Sequence, residues 1–417
     1  MKKSFIIGAL CAALLLCGAL LFFVAFANHA PFALPVFAQT KSGYDLLLEA
    51  RALMKDGPNG SPSATEILAP AENLRRQRLA VARNAPALAK LRVALKANIK
   101  VPVPQSPNDF AGIFPVFASA REFARQLAQE AAVRAADGNA MGAVQSNLDA
   151  LELGAQMNHG TLVSGMVGIA VSAIGRAHLE KYAPLLDASQ SREVARQMDE
   201  IGGKMQTMTQ MLQAEQAYGL RLTRQIFADM DDPQKHAQMQ EDINGGAAKY
   251  NQAMNAMLKL PLAQVETEYQ AQFARAIELA DKPYFAATQA APLNSDIAYV
   301  NLTLGVIAAP SIRFMLERNT VSNRLLADSL RLHAVKLETG VYPETFDAET
   351  DPLSPTLAPL IYKHVGDSYV LYSVGPDGVD NNGAQIQTLF TDSETGAKTV
   401  SKYLMFDSTG DIMAPIL

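Results

Sequence analysis

The residues best suited to a defined chemical task lie near the end of the chain, in Tyr369-Val-Leu-Tyr-Ser-Val-Gly-Pro-Asp-Gly-Val-Asp-Asn-Asn-Gly383. An alternating, strand-like run leads there into a loop dense in oxygen ligands and glycine. Calcium, a hard cation, takes roughly six to eight oxygens at about 2.3–2.6 Å, backbone carbonyls included. Ser373, Asp377, Asp380, Asn381 and Asn382 offer side-chain oxygens, and Gly375, Gly378 and Gly383 let carbonyls turn inward. Asp411 can close such a site from the last strand. The loop is not an EF-hand. With Gly383 at its sixth position, the first would be Gly378 and the twelfth Leu389, and neither carries a carboxylate. The same residues also make an ordinary hairpin loop through Asn, Asp and Gly turn chemistry, and composition leaves both readings standing.

Other constellations point to no reaction. The histidines (His29, His159, His178, His236, His333 and His364) show no metal-ligand spacing. No Gly-x-Ser-x-Gly elbow, phosphate-binding loop or dinucleotide fingerprint occurs. Glu266 and Glu268 are two apart and do not share a helix face. Met198, Met205, Met208 and Met211 fall roughly on one helical face, which suits either Cu(I) or, more commonly, packing into a core. No catalytic residue and no organic cofactor is assigned. A hydrolase site built from scattered residues of the helical region is the alternative to a structural or interaction role.

The elements that must position this loop begin with composition. The chain has 417 residues, 49% apolar and 18% charged, with a net charge of -5. That is globular rather than disordered. Residues 341–417 hold 3 Lys/Arg against 11 Asp/Glu, leaving about +3 for the rest. An acidic C-terminal region disfavours nucleic acid as a partner and suits cations. Cys11 and Cys17 are the only cysteines, so the body holds no thiol for a disulfide, a zinc cluster or a nucleophile. Both lie in an uncharged run from Phe5 to Ala27, behind Lys2 and Lys3. As a helix that run spans roughly 35 Å, about one bilayer core. The lysines predict a cytoplasmic N-terminus and an exported body. Val36-Phe37-Ala38 also fits a signal-peptidase site; cleavage there would leave the body secreted or periplasmic rather than anchored.

Residues 28–40 read as a spacer, and Asp45–Lys55 as a short amphipathic helix before the Gly57–Ser63 break. Glu72–Lys100 is strongly basic, with Pro86 expected to split it. It reads as a contact for anionic lipid or a partner, or as a solvated face above a Leu88/Leu91/Leu95 stripe. After the Val101–Pro107 linker, helices are expected over Ser119–Ala136, over Ala140–Met157 and from Thr161 onward. Asp137-Gly138-Asn139 and Asn158-His159-Gly160 are the turns between them. Ser164, Gly168 and Ser172 form a small-residue stripe for close helix packing, within one chain or across a dimer seam. Residues 263–281 read as helical, Asp281–Phe285 as a turn, and Ile312–Thr339 as a long helix ended by Gly340. Leu325, Leu326, Leu330, Leu332 and Leu337 are its expected core face. Short β-type runs follow at Lys363–His364, Tyr369–Ser373, Gln385–Phe390 and Tyr403–Phe406.

Within this last region, Leu330-Arg-Leu-His-Ala-Val-Lys-Leu-Glu-Thr-Gly-Val-Tyr-Pro343 resembles the end of the spine helix and Gly-x-Tyr-Pro turn of type II secretion major pseudopilins. Asp351-Pro352 resembles their Asp-Pro turn. Tyr369–Gly378 is similar to their last hairpin, which leads into a calcium loop, and Asp411-Ile412 to the residues that close the module. The resemblance covers residues 320–417. It implies a small α+β fold, an extracytoplasmic address and structural calcium held by Ser373, Asp377, Asp380, Asn382 and Asp411. The pseudopilin leader, its Gly cleavage site and its Phe-Thr-Leu-x-Glu start do not stand at residues 1–30, so polymerisation is not implied. The whole layout also resembles uncharacterised exported bacterial proteins that have an anchor, a helical middle and this module.

The sequence thus predicts a mainly α protein. Residues 1–38 are an anchor or signal peptide with spacer, 39–311 an extracytoplasmic α-helical domain, and 312–417 a pseudopilin-like α+β module with a short antiparallel sheet. The expected partners are the membrane, through the N-terminal helix, and envelope or secretion-system proteins. A homo-oligomer is compatible with the small-residue stripe.

Overall fold

The computed structural model describes residues 41–55, 70–105, 107–235, 248–307, 310–386, 388–391, 398–401 and 404–417. The expected anchor, the spacer and the Gly57–Ser63 break lie outside them. The protein is 67% helical with a small antiparallel sheet near its C-terminus. This agrees with the mainly α expectation.

Helix α1 (Gly43–Leu53) is opened by a capping box between Ser42 and Asp45. α2 (Pro70–Lys96) and α3 (Pro107–Ala136) both run straight through a proline, Pro86 and Pro115 respectively. Pro86 therefore does not split its segment, and α3 begins well before Ser119. Both prolines face solvent, where water can satisfy the carbonyl that each leaves free. The basic run of α2 is largely engaged within the chain. Arg75 and Arg76 pair with Glu72, Arg78 with Asp137, Lys90 with Glu49, and Arg92 with Glu130 and Asp149. Leu88, Leu91 and Leu95 are buried beneath it, as their spacing predicts.

α4 (Ala140–Met157) starts after Gly138, at φ +77°, with Asn139 accepting the Gly142 N–H as cap. α5 (Leu162–Tyr182) returns along it and leads into a 3-10 turn (Ala183–Leu185). The small-residue stripe is the seam between α4 and α5. A Cβ on Gly168 would sit 2.5 Å from the Gly154 carbonyl oxygen, and one on Gly154 would sit 2.2 Å from Ser172 Oγ. The stripe is thereby occupied within one chain and offers no dimer seam. Leu162–Leu185 is long and apolar enough to cross a membrane by composition, but half of its apolar window is buried in the protein. Here it is a core helix.

α6 (Ala188–Gly203) and α7 (Met208–Met230) begin with capping boxes at Asp187/Gln190 and Thr207/Gln210. The break between them divides the methionines. Met198 and Met205 pack with α4 and α12, while Met208 and Met211 pack with α7 and α9. The expected single methionine face is therefore not formed. α8 (Ala248–Met257), α9 (Leu262–Ala280), the short α10 (Tyr284–Thr288, expected as a turn) and α11 (Ala298–Ile307) follow.

α12 (Pro310–Thr339) is the long helix, and Gly340 ends it at φ +83° with its N–H on the Lys336 carbonyl at 2.9 Å. Its apolar residues serve three separate cores. Ile312 joins α7 and α9; Leu326, Ala327 and Leu330 join α4 and α6; Phe314, Val321, Leu325 and Leu332 join the C-terminal sheet. Leu337 lies off all three and is half exposed. Tyr284 from α10 also packs into the sheet's core.

β1 (Ile361–Val365) and β2 (Ser368–Ser373) form an antiparallel hairpin with Ile361 opposite Tyr372 and a turn at Gly366. A separate ribbon pairs β3 (Thr388–Thr391) with β4 (Lys398–Ser401). β5 (Ile412–Met413) then adds antiparallel to β2, giving the order β1-β2-β5. Of the expected Tyr403–Phe406 strand, residues 404–406 instead run into a turn closed by the Met405 N–H on Ser408 Oγ at 2.8 Å. Gln385 makes only an isolated bridge to Asp411.

The α4–α5 seam gives a direct test. Gly168→Ala should lower unfolding free energy by about 1–3 kcal/mol, because the added methyl meets backbone rather than a movable side chain. Gly202→Ala, in open space on α6, should raise it by about 0.5–1 kcal/mol. Urea unfolding of both variants measures the contrast.

Candidate functional site

The loop after β2 is folded by its glycines. Gly375 (φ +73°) lies so close to the returning chain that a Cβ would stand 2.1 Å from the Gly410 carbonyl oxygen. Gly378 and Gly383 are also left-handed, as is Asn382 at φ +57°. Asx turns fill the loop. Asp377 Oδ1 accepts the Val379 N–H at 3.2 Å, and Asp380 Oδ1 the Asn382 N–H at 2.8 Å.

Four of the five expected ligands are gathered around this loop. Asp377 Oδ2 accepts the Gly410 N–H at 3.1 Å and Asn381 Nδ2 at 3.3 Å. Asp411, fully buried, accepts the Asn381 N–H at 3.2 Å and the Gly383 N–H at 2.7 Å, one on each oxygen. Asp380 accepts the Tyr372 hydroxyl at 2.8 Å, and Asn382 Oδ1 accepts Lys363 Nζ at 3.3 Å. Ser373 turns away. Its Oγ donates to Asp351 Oδ1 at 2.9 Å.

The electrostatics of the loop divide in two. Burial, and then the nearby charges of Asp380 and Asp377, push the Asp411 carboxyl up, against the two backbone N–H groups that hold it charged. Asp380 is held low, chiefly by the Tyr372 hydroxyl and the Asn382 N–H, with help from Lys363. Lys363 Nζ also donates to the Tyr372 hydroxyl at 2.6 Å, so an ammonium already serves the Asp380 side. The Asp377–Asp411 side has only backbone and amide donors. Among the described residues no three His, Cys, Asp or Glu side chains converge closely enough to hold a metal ion. A cation here would draw on backbone carbonyls as well as carboxylates.

Two carboxylates outside the loop matter more than their sequence suggested. Asp351 is buried and organises the approach to the loop. It accepts the Leu353 and Val374 N–H groups at 3.0 Å each and the Ser373 hydroxyl; burial raises its pKa. The Asp-Pro turn was its sole sequence signal. Glu215 on α7 accepts the Leu162 N–H at 3.1 Å and so caps α5, whose own cap Thr161 makes no side-chain bond. Burial pushes Glu215 up to about 7. Nothing in the sequence around Glu215 announces this role.

Among the described residues the helical region carries surface grooves. One, between α2, α4 and α6, is lined by Arg92, Asp149, Glu152, Glu200 and Lys204 among others. Its carboxylates are paired: Arg92 Nε lies 2.7 Å from Asp149, Lys204 Nζ 2.8 Å from Glu152, and Arg196 pairs with Glu200.

Asp351→Ala would orphan three buried donors and should destabilise the protein by about 3 kcal/mol or more, read from urea unfolding. Glu215→Gln separates by pH. A folded-state pKa raised to about 7 from 4.5 gives stability that is full below about pH 4.5 and lost as pH rises through 7. The variant should therefore gain on wild type by about 1–3 kcal/mol between pH 4.5 and 8, measured by paired unfolding curves.

No family model matches this chain, and no curated protein or solved structure matches it either.

Proposed function

We propose that this protein is an exported, membrane-anchored structural or interaction protein of the bacterial cell envelope. Its pseudopilin-like end module takes calcium as a structural ion. The observation that carries the reading is the concentration of carboxylates where the last strand returns: Asp377 and Asp380 both press on buried Asp411. A cation on the Asp377–Asp411 side would relieve that repulsion and clasp β5 to β2. Association with secretion or pilus-like machinery follows from the resemblance of residues 320–417. The competing reading, an envelope hydrolase, would draw on Asp149, Glu152 and Glu200, but each of these is neutralised by a neighbouring cation.

Millimolar calcium should raise the melting temperature of the full chain, with magnesium as control, and Asp377→Asn should abolish the rise. A melting temperature indifferent to calcium would reduce the loop to a hairpin turn. Capture of partners from native membranes, first with calcium and then with chelator, tests the interaction role. Recovery that ignores the chelator would separate that role from the metal.

A further inference from the structure

Helix α2 carries two apolar stripes, and only one of them is covered. Asn84, Ala87, Leu88, Leu91, Ala94 and Leu95 are buried. Leu79, Ala82, Pro86, Ala89 and Val93 recur at alternating steps of three and four, and so form a second stripe. All five are exposed, Leu79 by 53% and Val93 by 50%. The end of α1 widens this face. Ala52 and Leu53 are exposed and line one groove with Pro86, Ala89 and Val93. At about 100° per residue, Arg83 and Lys90 flank the stripe on one side and Lys96 on the other.

The charge around this face has one sign. Residues 41–55 and 70–100 hold 11 Lys/Arg against 3 Asp/Glu. The three carboxylates are engaged: Asp45 in the cap of α1, Glu49 between Lys41 and Lys90, and Glu72 between Arg75 and Arg76. Lys96 stands exposed at the rim. The place of the face in the chain matters equally. Residues 28–40 are the 13 that separate the expected anchor from Lys41. At full extension they reach about 45 Å, so α1 stays beside the bilayer that the anchor enters. An apolar stripe between two cationic flanks is the pattern of a helix lying in a membrane interface, its lysines reaching back to the headgroups.

We propose that the α1–α2 face around Leu53, Pro86, Ala89 and Val93 lies on an anionic lipid surface, with Lys90 and Lys96 among the headgroups. The proposal rests on the membrane-anchored reading and adds a second contact to it. The anchor holds the chain to the bilayer, and this face sets which side of the helical body lies down.

The test uses the full chain in vesicles of phosphatidylcholine, with or without phosphatidylglycerol. Cys11→Ser and Cys17→Ser remove the native thiols. A polarity-sensitive fluorophore is attached through Val93→Cys, through Leu53→Cys or, as control, through Val341→Cys, which is exposed in the C-terminal module. The Val93→Cys and Leu53→Cys labels should be quenched by nitroxide-bearing lipid when phosphatidylglycerol is present, and the Val341→Cys label should not. Lys96→Glu should shift the docked-to-free ratio about fivefold toward free. Flotation with the vesicles reports the anchor separately. A chain that floats while both labels stay in water refutes the lipid face and leaves the anchor standing; a chain that does not float refutes both. Docking indifferent to phosphatidylglycerol and to Lys96→Glu also overturns the proposal. So does a label shielded from water yet out of reach of the quencher, and disulfide cross-linking through Val93→Cys would then assign the face to a second copy.

Discussion

The constraint on which the rest depends is that α12 is buried on several faces at once. A surface helix needs one apolar stripe, but α12 must satisfy the α7–α9 core through Ile312, the α4–α6 core through Leu326 and Leu330, and the sheet through Val321, Leu325 and Leu332. Helical repeat alone cannot keep so many directions apolar over 30 residues without exposing some to water. The polar residues that remain are therefore tied down. Asp328 is almost fully buried, with Oδ1 on Arg331 at 2.6 Å and Oδ2 accepting the Glu349 N–H at 2.9 Å. Arg331 reaches on to Asp199 of α6. One buried carboxylate thus joins the helical body, the long helix and the segment leading into the sheet.

The same economy explains why buried polar groups gather at junctions rather than in a cleft. Glu215 closes the open end of α5 from another helix. Asn158 holds the Gly165 carbonyl at 3.2 Å and the Gln206 N–H at 2.8 Å, and so sews the α4–α5 turn to the α6–α7 link. Gln156 spans from α4 to the end of α2 in the same way, accepting the Ile99 N–H at 2.7 Å and donating to the Leu95 carbonyl at 3.0 Å. The Leu162, Gln206 and Ile99 N–H groups satisfied in this way lie at or beyond helix ends, where the helix itself supplies no partner. A network of this kind fixes how helices cross and contributes little that could serve as reactive chemistry.

What was legible in the sequence is what local chemistry decides. Ala140–Met157 could be bounded to the residue because Gly138 and Asn139 act on the chain beside them. Gly340 ended α12 for the same reason. The loop from Gly375 to Gly383 was visible as a loop because Gly and Asn tolerate left-handed backbone. The misses were tertiary. Pro86 looks like a break unless one knows that it faces water. Tyr403–Phe406 has strand composition, but its residues 404–406 run into a turn. Ser373 suited a cation ligand by type, yet Asp351 claims it from 22 residues away, and nothing in the spacing announces that pairing. Glu215 and Leu162 are 53 residues apart, and an isolated glutamate on a polar helix carries no sign of its task.

The return of the last strand sets an order of events in time. The Pro415 carbonyl receives the Ser329 hydroxyl from 86 residues back and the Tyr369 hydroxyl from 46 back. Until that segment is made, the sheet-facing side of α12 lacks part of its cover. At typical synthesis rates of roughly 5–20 residues per second, the interval between those two points is on the order of 4–17 s. The helical body packs on another side of the same helix, and its elements there all precede α12 in the chain. A half-covered apolar helix outside a finished helical body is a natural point of capture for folding helpers. It also places the slow, long-range closure of β5 onto β2 at the end of folding, where loop-closure entropy puts it.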